Sequence, residues 1–475
     1  MTAREIRLTL LENEQAMKRT ILLLLLISVL STSVSAQFPQ SYGNRLQFVL
    51  DSVCSIYNLK GVSAAVTVPG IGTWEGVYGI SETGAPMATN MALGIGSNTK
   101  TFMAAAILKM VEQNLISLSD TIGTWIQHPN VNGQITITQL LNHTSGVYNF
   151  TNSQAFEDSM ITDFTRVWQP EDVLQFIEAP AFPAGTNWDY SNSNYLLLGL
   201  IIKQVTAQPL SVFLRNNILT PAGLSNTWLF PEETPVVPVA HSWSAAFSWL
   251  GSLEDIVSTY NYSHNSMFSM AWAAGAIMST ASDNAQFWSK LITGQILSPA
   301  SLVKMKQVVH LSSVTGYGLG IFRYKNFNAR TIYAHGGTNL GFINENLADS
   351  ISGVGISVLT NQDSVSNNIV RTRIVAALHK VTITPPLSVD ALAATRGDVT
   401  IYPNPAKDKI NIEGLNEGEI SRLKIYDMAG KIVYAKDIIS YRNITLPVLS
   451  TGTYILKITC NKNEREISKM LHVVL

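Results

Sequence analysis

A run of almost uninterrupted apolar residues at positions 102–111 dominates the pattern in the interior of the chain. Because it is apolar on nearly every side at helical spacing, it predicts a helix buried inside a domain. A turn containing Gly94 and Gly96 precedes this helix, and Ser97 and Lys100 lie where it begins. The pattern therefore places a hydroxyl and an amine at the N-terminal end of a core helix.

A second apolar run covers residues 21–30, after two basic residues and before the small-residue sequence at 34–36. This order is typical of a secretory signal peptide, here residues 17–36, and the run is too short to span a bilayer. We expect translation to start at Met17, so that residues 1–16 are not part of the protein. The mature chain should begin at Gln37, outside the cytoplasm and without a transmembrane span.

Near the C-terminus the pattern changes to short strand-like runs. They cover residues 399–402, 409–412, 422–426, 431–434, 443–446, 453–459 and 464–474. So many short strands in so short a segment predict a small all-β sandwich of the immunoglobulin-like kind. Charged residues become more frequent there, and all nine tryptophans precede residue 289. We expect a catalytic domain at 37–385, a linker at 386–398 and a small domain at 399–475.

Composition excludes several classes of function. The 475 residues carry 32 basic and 33 acidic side chains, so no strong field attracts nucleic acid or an anionic membrane. The two cysteines, Cys54 and Cys460, lie in different predicted domains and are expected to remain unpaired. Metal-binding motifs and a complete dinucleotide-binding loop are absent from the sequence, so we predict no metal and no cofactor.

Ser97 and Lys100 are the first candidate chemical pair. Residues three apart share a helix face, so the Lys100 amine can reach the Ser97 oxygen and help to activate it. The same spacing recurs at Ser301 and Lys304, and a serine at a helix start also serves as a simple N-cap. The spacing alone therefore does not decide the role of Ser97.

Two further motifs follow in order, Tyr190-Ser191-Asn192 and His335-Gly336-Gly337-Thr338. With Ser97-x-x-Lys100 they resemble the serine beta-lactamase-like superfamily, in the branch of class C beta-lactamases, D-Ala-D-Ala carboxypeptidases and related esterases. The resemblance covers roughly residues 40–385 and includes the segments 140–146, 274–280 and 316–320. It implies an α+β fold, in which helices flank an antiparallel sheet and a helical lobe closes the cleft.

The resemblance also implies roles for individual residues. Ser97 would attack a carbonyl carbon to form an acyl-enzyme, and Tyr190 or Lys100 would accept its proton. A phenol titrates near pH 10, so Tyr190 needs a lowered pKa, which a cationic Lys100 would supply. Asn192 would hold Lys100 and a substrate amide.

The His335-Gly336-Gly337-Thr338 motif would end or form an edge strand beside the nucleophile. Its glycines would let the substrate backbone approach closely, and the N–H groups of Thr338 and Ser97 would form an oxyanion hole. His335 stands where class C beta-lactamases usually carry lysine. A histidine is only partly charged near neutral pH and is a poorer clamp for a substrate carboxylate.

Three functions remain open from the sequence. The histidine favours a D-Ala-D-Ala carboxypeptidase-like or esterase-like hydrolase over a beta-lactamase. A different class, a non-catalytic protein that binds peptidoglycan peptides, is disfavoured by the complete set of Ser97, Lys100 and Tyr190. No Gly-x-Ser-x-Gly elbow occurs, which argues against an α/β-hydrolase.

Two other segments carry expectations. His143 is expected to be a structural hydrogen-bonding residue. The aromatic residues of segment 241–272 either cover the active site and favour an apolar acyl group or pack in the core. They are Trp243, Phe247, Trp249, Tyr260, Tyr262, Phe268 and Trp272.

The tail resembles the C-terminal sorting domain of the type IX (Por) secretion system. The segments that carry the resemblance are 401–406, 425–431 and 452–457. It implies that the type IX machinery is a partner and that the chain is secreted or held on the outer-membrane surface, with the tail either cleaved or retained as an anchor. A general immunoglobulin-like adhesion or carbohydrate-binding module is the alternative.

Overall fold

The computed structural model describes residues 38–384, apart from 164, 247, 249, 250 and 365, and residues 400–473, apart from 403, 405, 414–419, 428–430, 438–443 and 461–464. The predicted signal peptide and linker lie outside the described residues. The chain forms two compact units that divide between Thr384 and Pro385. Each is described by itself.

The first unit contains fourteen described strands. They are β1 (Gly61–Val68), β2 (Gly72–Glu82), β3 (Ala85–Pro86), β4 (Leu93–Gly94), β5 (Thr227–Leu229), β6 (Trp243–Ser244), β7 (Glu254–Asp255), β8 (Ile277–Ser279), β9 (Val309–His310), β10 (Thr315–Tyr317), β11 (Phe322–Phe327), β12 (Arg330–Asn339), β13 (Phe342–Asp349) and β14 (Gly355–Thr360). Nine form one antiparallel sheet in the order β3-β2-β1-β14-β13-β12-β11-β10-β9.

The described α-helices of this unit follow in chain order. They are α1 (Gln40–Ile56), α2 (Thr99–Glu112), α3 (Ile137–Leu141), α4 (Gln154–Thr162), α5 (Pro170–Leu174), α6 (Asn192–Thr206), α7 (Leu210–Leu214), α8 (Ile256–Tyr260), α9 (His264–Ala271), α10 (Ala281–Ile292), α11 (Pro299–Met305), α12 (Asn367–Ile369) and α13 (Ala376–Ile383). A π-helical stretch, Val370–Val375, joins α12 to α13.

Helices cover both faces of the sheet. In β1, Val62, Ala64 and Val66 pack in a core with α1 and α13, whereas Ala65 packs in the core on the opposite face, where α10 lies. This is the period of two that a strand buried on both sides requires. The predicted α+β fold with an antiparallel sheet is confirmed.

Helix α2 lies in the core of the helical lobe. Every residue of α2 from Thr99 to Leu108 is buried, and the helix contacts α6, α7 and α11. The all-round apolar pattern is therefore explained by neighbours on several sides. No single helix among the described residues is long and apolar enough to cross a bilayer, and one bent pair, α6 with Leu210–Leu219, meets the criteria of length and composition.

The second unit has seven described strands in two antiparallel sheets. They are β15 (Thr400–Tyr402), β16 (Lys409–Glu413), β17 (Ile420–Tyr426), β18 (Ile432–Asp437), β19 (Ile444–Thr445), β20 (Gly452–Cys460) and β21 (Arg465–Val473). One sheet has the order β15-β16-β19 and the other β18-β17-β20-β21. Alternate aliphatic residues such as Ile410, Ile425 and Leu456 form its small core. The predicted strands are confirmed, with shifted ends. In the first unit, Cys54 is a buried free thiol.

Candidate active site

Ser97 lies in a single 3-10 turn, Gly96–Asn98, that leads directly into α2. Gly96 has a φ of +47°, and a Cβ there would lie 2.6 Å from the Thr338 backbone nitrogen. Glycine is required both by this left-handed backbone and by the closeness of β12. Ser97 is thus held at the N-terminal end of a helix dipole, which favours developing negative charge.

Lys100 is fully buried and points at Ser97. Its Nζ lies 3.0 Å from Ser97 Oγ, 2.8 Å from Asn192 Oδ1 and 2.7 Å from the Ala274 carbonyl oxygen. Burial lowers the pKa of Lys100 well below its ordinary value. Asn192 Oδ1 and the Ala274 carbonyl oxygen accept hydrogen bonds from Nζ, and a lowered pKa favours the unprotonated form of the amine beside the Ser97 hydroxyl.

Tyr190 lies on the other side of this pair. Its ring centroid is 4.9 Å from Lys100 Nζ. Its hydroxyl is buried and makes no hydrogen bond of regular geometry with the described residues. Burial raises the pKa of Tyr190, and the neighbouring Ser97 hydroxyl opposes this only partly. The sequence-based expectation of a lowered phenol pKa is wrong, because Lys100 is itself buried and its own pKa is lowered.

His143 holds Tyr190 in place. Its Nδ1 accepts the Ser191 backbone N–H at 3.2 Å and lies 3.0 Å from Asn194 Nδ2. Its ring packs 4.3 Å from the Tyr190 ring, centroid to centroid. Burial lowers the pKa of His143 well below the ordinary range, so the ring is neutral. The predicted structural hydrogen bonding of His143 is confirmed.

His335 is buried and neutral. Its Nδ1 lies 2.7 Å from the Gly336 carbonyl oxygen and its Nε2 lies 3.1 Å from the Tyr317 hydroxyl. Burial lowers the pKa of His335 to about 3. The sequence suggested a partly charged imidazole, whereas a pKa lowered this far favours the neutral ring near neutral pH.

Strand β12, which carries His335, lies inside the sheet between β11 and β13. The expectation of an edge strand is therefore wrong for the strand as a whole. Its pairing with β11 ends at Ala334, whereas its pairing with β13 continues to Asn339. Residues 335–339 consequently extend past the end of β11, which is shorter at that end.

This segment of β12 contacts the turn that holds Ser97. A Cβ on Gly337 would lie 2.0 Å from the Ile95 carbonyl oxygen and 2.8 Å from the Ser97 backbone nitrogen. A Cβ on Gly96 would approach the Thr338 nitrogen, as noted above. The two backbone segments expected to form an oxyanion hole are therefore neighbours, and glycine at both positions allows them to meet.

An apolar cleft of about 390 Å³ opens beside Ser97. It is lined by Ser97, Phe150, Thr151, Met160, Asn192, Tyr262, Met267, Met270, Ala271, Ala274, Gly275, Thr338, Asn339, Leu340 and Asp363. Sequence reasoning missed the three methionines, because methionines in an apolar pattern read as ordinary core residues. The aromatic residues of segment 241–272 differ in position. Tyr262 lines the cleft, whereas Phe268 and Trp272 are buried in the core. Phe247 and Trp249 lie outside the described residues.

A smaller polar cavity, about 270 Å³, lies on another side of Ser97. It is lined by Ser97, Tyr190, Phe322, Tyr324, His335, Gly336, Gly337, Thr338, Glu345 and Arg371. Sequence reasoning missed Glu345 and Arg371, which belong to no motif. Strand register and the approach of the π-helical stretch bring them to the site.

Residues 50–379 match the beta-lactamase family, which is well over half of the chain. The chain belongs to the beta-lactamase family. Among curated proteins it is 29% identical over 279 residues to the "Putative penicillin-binding protein PbpX" of Bacillus subtilis strain 168, covering 58% of this chain and 62% of that protein. The aligned part is thus less than two thirds of that relative.

Two solved structures with the beta-lactamase family fold align over nearly their whole length. A D-stereospecific amidohydrolase from Streptomyces sp. has a TM-score of 0.60 and 26% identity, covering 70% of this chain and 98% of that one. The D-amino acid amidase from Ochrobactrum anthropi SV3, complexed with L-phenylalanine amide, has a TM-score of 0.62 and 25% identity, covering 72% and 99%. The family and these neighbours support a serine hydrolase.

The C-terminal tail of this beta-lactamase family member matches a second family. Residues 400–473 match the secretion system C-terminal sorting domain. This domain indicates type IX secretion to the cell surface or the extracellular space. The alternative of a general adhesion or carbohydrate-binding module is not supported.

Proposed function

We propose that this protein is a secreted serine hydrolase that forms an acyl-enzyme on Ser97 and acts on D-amino-acid amides, peptides or esters. The observation that carries the proposal is the contact of 3.0 Å between Lys100 Nζ and Ser97 Oγ inside a buried site. A serine hydroxyl is a weak nucleophile, and a neutral amine at this distance can take its proton as the oxygen attacks.

In acylation, Lys100 acts as the proton acceptor and Tyr190 as the proton donor. Lys100 takes the Ser97 proton as Oγ bonds to the carbonyl carbon, and the N–H groups of Ser97 and Thr338 stabilise the oxyanion. Tyr190, whose raised pKa keeps it protonated, gives its proton to the leaving group. It regains a proton from the Lys100 ammonium, so that both groups return to their starting state.

Deacylation uses the same groups with water. The neutral Lys100 takes a proton from a water molecule as its oxygen attacks the ester carbonyl carbon. The proton then passes to Ser97 Oγ as the acyl–oxygen bond breaks. The acid leaves, and the cycle needs no metal or organic cofactor for its proton balance.

Substrate preference follows from the polarity of the site. The neutral His335 offers no positive charge to a beta-lactam or peptide carboxylate, and the apolar cleft suits a hydrophobic side chain. The similarity to a D-stereospecific amidohydrolase and a D-amino acid amidase favours D-amino-acid derivatives. We therefore rank amidase and esterase activity first, and D-Ala-D-Ala carboxypeptidase-like and beta-lactamase activity, whose substrates carry a carboxylate, after them.

The test combines labelling with a substrate panel. Incubation with a fluorophosphonate should give one covalent adduct at Ser97 by peptide mass spectrometry, and Ser97→Ala should give none. The panel contains D-phenylalanine amide, a D-Ala-D-Ala peptide, p-nitrophenyl acetate and nitrocefin, of which the last should be the poorest substrate. An unlabelled Ser97 in the folded wild-type protein would favour the non-catalytic peptide-binding alternative.

A further inference from the structure

Glu345 is a buried carboxyl group without donors. It lies on β13 directly opposite Gly336 of β12, and it is 1% exposed. Neither of its carboxyl oxygens accepts a hydrogen bond from the residues that the structure describes. Buried polar atoms are nearly always satisfied, so two orphaned oxygens on one side chain need an explanation.

Glu345 lines the small cavity that contains Ser97. A Cβ on Gly336 would lie 2.5 Å from Glu345 Oε2, so the carboxyl occupies the space that a side chain at position 336 would need. Glu345 and Ser97 line the same cavity of about 270 Å³. A ligand that fills this cavity can therefore contact both Glu345 and Ser97.

Arg371 does not satisfy Glu345. Its NH1 is 3.9 Å from Glu345 Oε1, beyond hydrogen-bonding distance. The guanidinium instead donates to the Tyr324 hydroxyl at 2.9 Å and to Asn368 Oδ1 at 3.3 Å. The oxygens of Glu345 could accept N–H or O–H donors from a ligand. A ligand carboxylate does not fit, because an ionised carboxylate donates no hydrogen bond.

An ammonium group has the complementary chemistry, because it brings three donors and a positive charge. We propose that Glu345 binds the α-ammonium group of the acyl part of the substrate, so that the enzyme acts on amides or esters of amino acids with a free amino group. This deepens the proposed function, since it places the ammonium one carbon from the carbonyl that Ser97 attacks. The adjacent apolar cleft then receives the amino-acid side chain.

Binding at Glu345 should release a proton. Burial raises the pKa of Glu345 to about 8, with Arg371 opposing this, so near pH 7 the empty carboxyl is mostly protonated. An ammonium ligand favours the ionised form. Tyr324 and His335 face the same cavity, and both are neutral at this pH because burial raises the pKa of the first and lowers that of the second to about 3.

The experiment measures binding without catalysis. Calorimetry on full-length Ser97→Ala compares D-phenylalanine amide with its N-acetyl derivative at pH 7, in two buffers of different ionisation enthalpy. We expect the free amine to bind at least about tenfold more tightly, as a charged hydrogen bond predicts. We also expect its binding to release a proton into the buffer.

Glu345→Gln in the Ser97→Ala background should remove both the preference and the proton release. Glu75→Gln, an exposed glutamate on β2, is the matched control and should change neither. Equal binding of the two ligands, or a preference that survives in a folded Glu345→Gln protein, would overturn the assignment. Because binding is measured without turnover, this result is independent of whether Ser97 is labelled by the fluorophosphonate.

Discussion

At the scale of single residues, the site depends on the burial of ionisable groups. Lys100, Tyr190 and His335 are all enclosed, and burial disfavours the charged form of each. Burial therefore favours neutral side chains around Ser97 over a set of ion pairs. The lowered pKa of Lys100 favours the unprotonated amine that the proposed mechanism needs as its proton acceptor.

Replacing Lys100 with methionine tests this amine. Lys100→Met should lower kcat/KM by about 10²–10⁴, the usual contribution of a general base. In the wild type, kcat/KM should fall as the pH drops through the lowered pKa of Lys100, because protonation removes the lone pair. Steady-state kinetics over a pH series measure both effects.

Lys109→Met is the control for that substitution. Lys109 lies on the same helix, but it pairs with Glu112 at a partly exposed position. Its replacement should leave kcat/KM unchanged. Equal losses in the two variants would show that damage to α2, and not loss of the amine, is responsible.

A second prediction at the scale of single residues concerns the effect of Glu345 on the pH dependence of stability. The pKa of Glu345 is about 8 in the folded protein and 4.5 in the unfolded chain. The fold therefore favours the protonated carboxyl group over the ionised one. This contribution to stability is complete below pH 4.5 and is lost as the pH rises towards 8. The free energy of unfolding of the wild type relative to Glu345→Gln should fall by at most about 1.4 kcal/mol per pH unit in that window. Urea unfolding of both proteins between pH 5 and 8 measures the slope, and parallel curves would contradict the raised pKa.

At the scale of elements, β12 and the turn before α2 must approach each other closely. Gly337 permits this, because any larger residue would meet the Ile95 carbonyl. The sequence showed two adjacent glycines in a predicted strand, but the lengths of β11 and β13 determine which part of β12 extends past β11 towards Ser97. β11 and β13 lie far from Ser97 in the chain, and Asn344 of β13 donates to the Gly94 carbonyl oxygen of β4, 250 residues away.

Gly337→Ala should therefore separate the two proposed oxyanion donors. The new Cβ would lie 2.8 Å from the Ser97 nitrogen and 2.0 Å from the Ile95 oxygen, so the backbone must move. Loss of one such donor costs about 10²–10³ in kcat, and we expect a decrease of this order in p-nitrophenyl acetate hydrolysis.

Gly452→Ala is the matched control in the tail. Its nearest contacts are at 3.8 Å or beyond, so a Cβ fits without movement. Activity should be unchanged in this variant. Full activity in folded Gly337→Ala would contradict the proposed oxyanion hole.

At the scale of the whole molecule, two units have separate tasks. The beta-lactamase family unit contains all the residues of the proposed catalytic site, and the tail matches a sorting domain. The described tail strands form their own apolar core. Export and chemistry should therefore be separable.

Removal of residues 400–473 tests this separation. In a host with a type IX system, the shortened protein should remain inside the cell envelope, while the full chain reaches the surface or the medium. Immunoblots of cell fractions measure the distribution. The purified shortened protein should retain wild-type kcat/KM on p-nitrophenyl acetate, and its export at the normal level would contradict a sorting role.

The sequence by itself determined the family, and with it the fold of the large unit, through ordered motifs that resemble those of the family. It also determined the strand-rich tail and the pairing of Ser97 with Lys100, because strand alternation and helical spacing are local properties of the chain. It also gave Tyr190, Asn192 and His335, which belong to recognisable short motifs. Only the tertiary structure decided which of these groups are neutral, because burial depends on neighbours from distant segments. It alone placed Glu345 and Arg371 at the site, since strand register and helix packing bring together residues that share no pattern in the sequence.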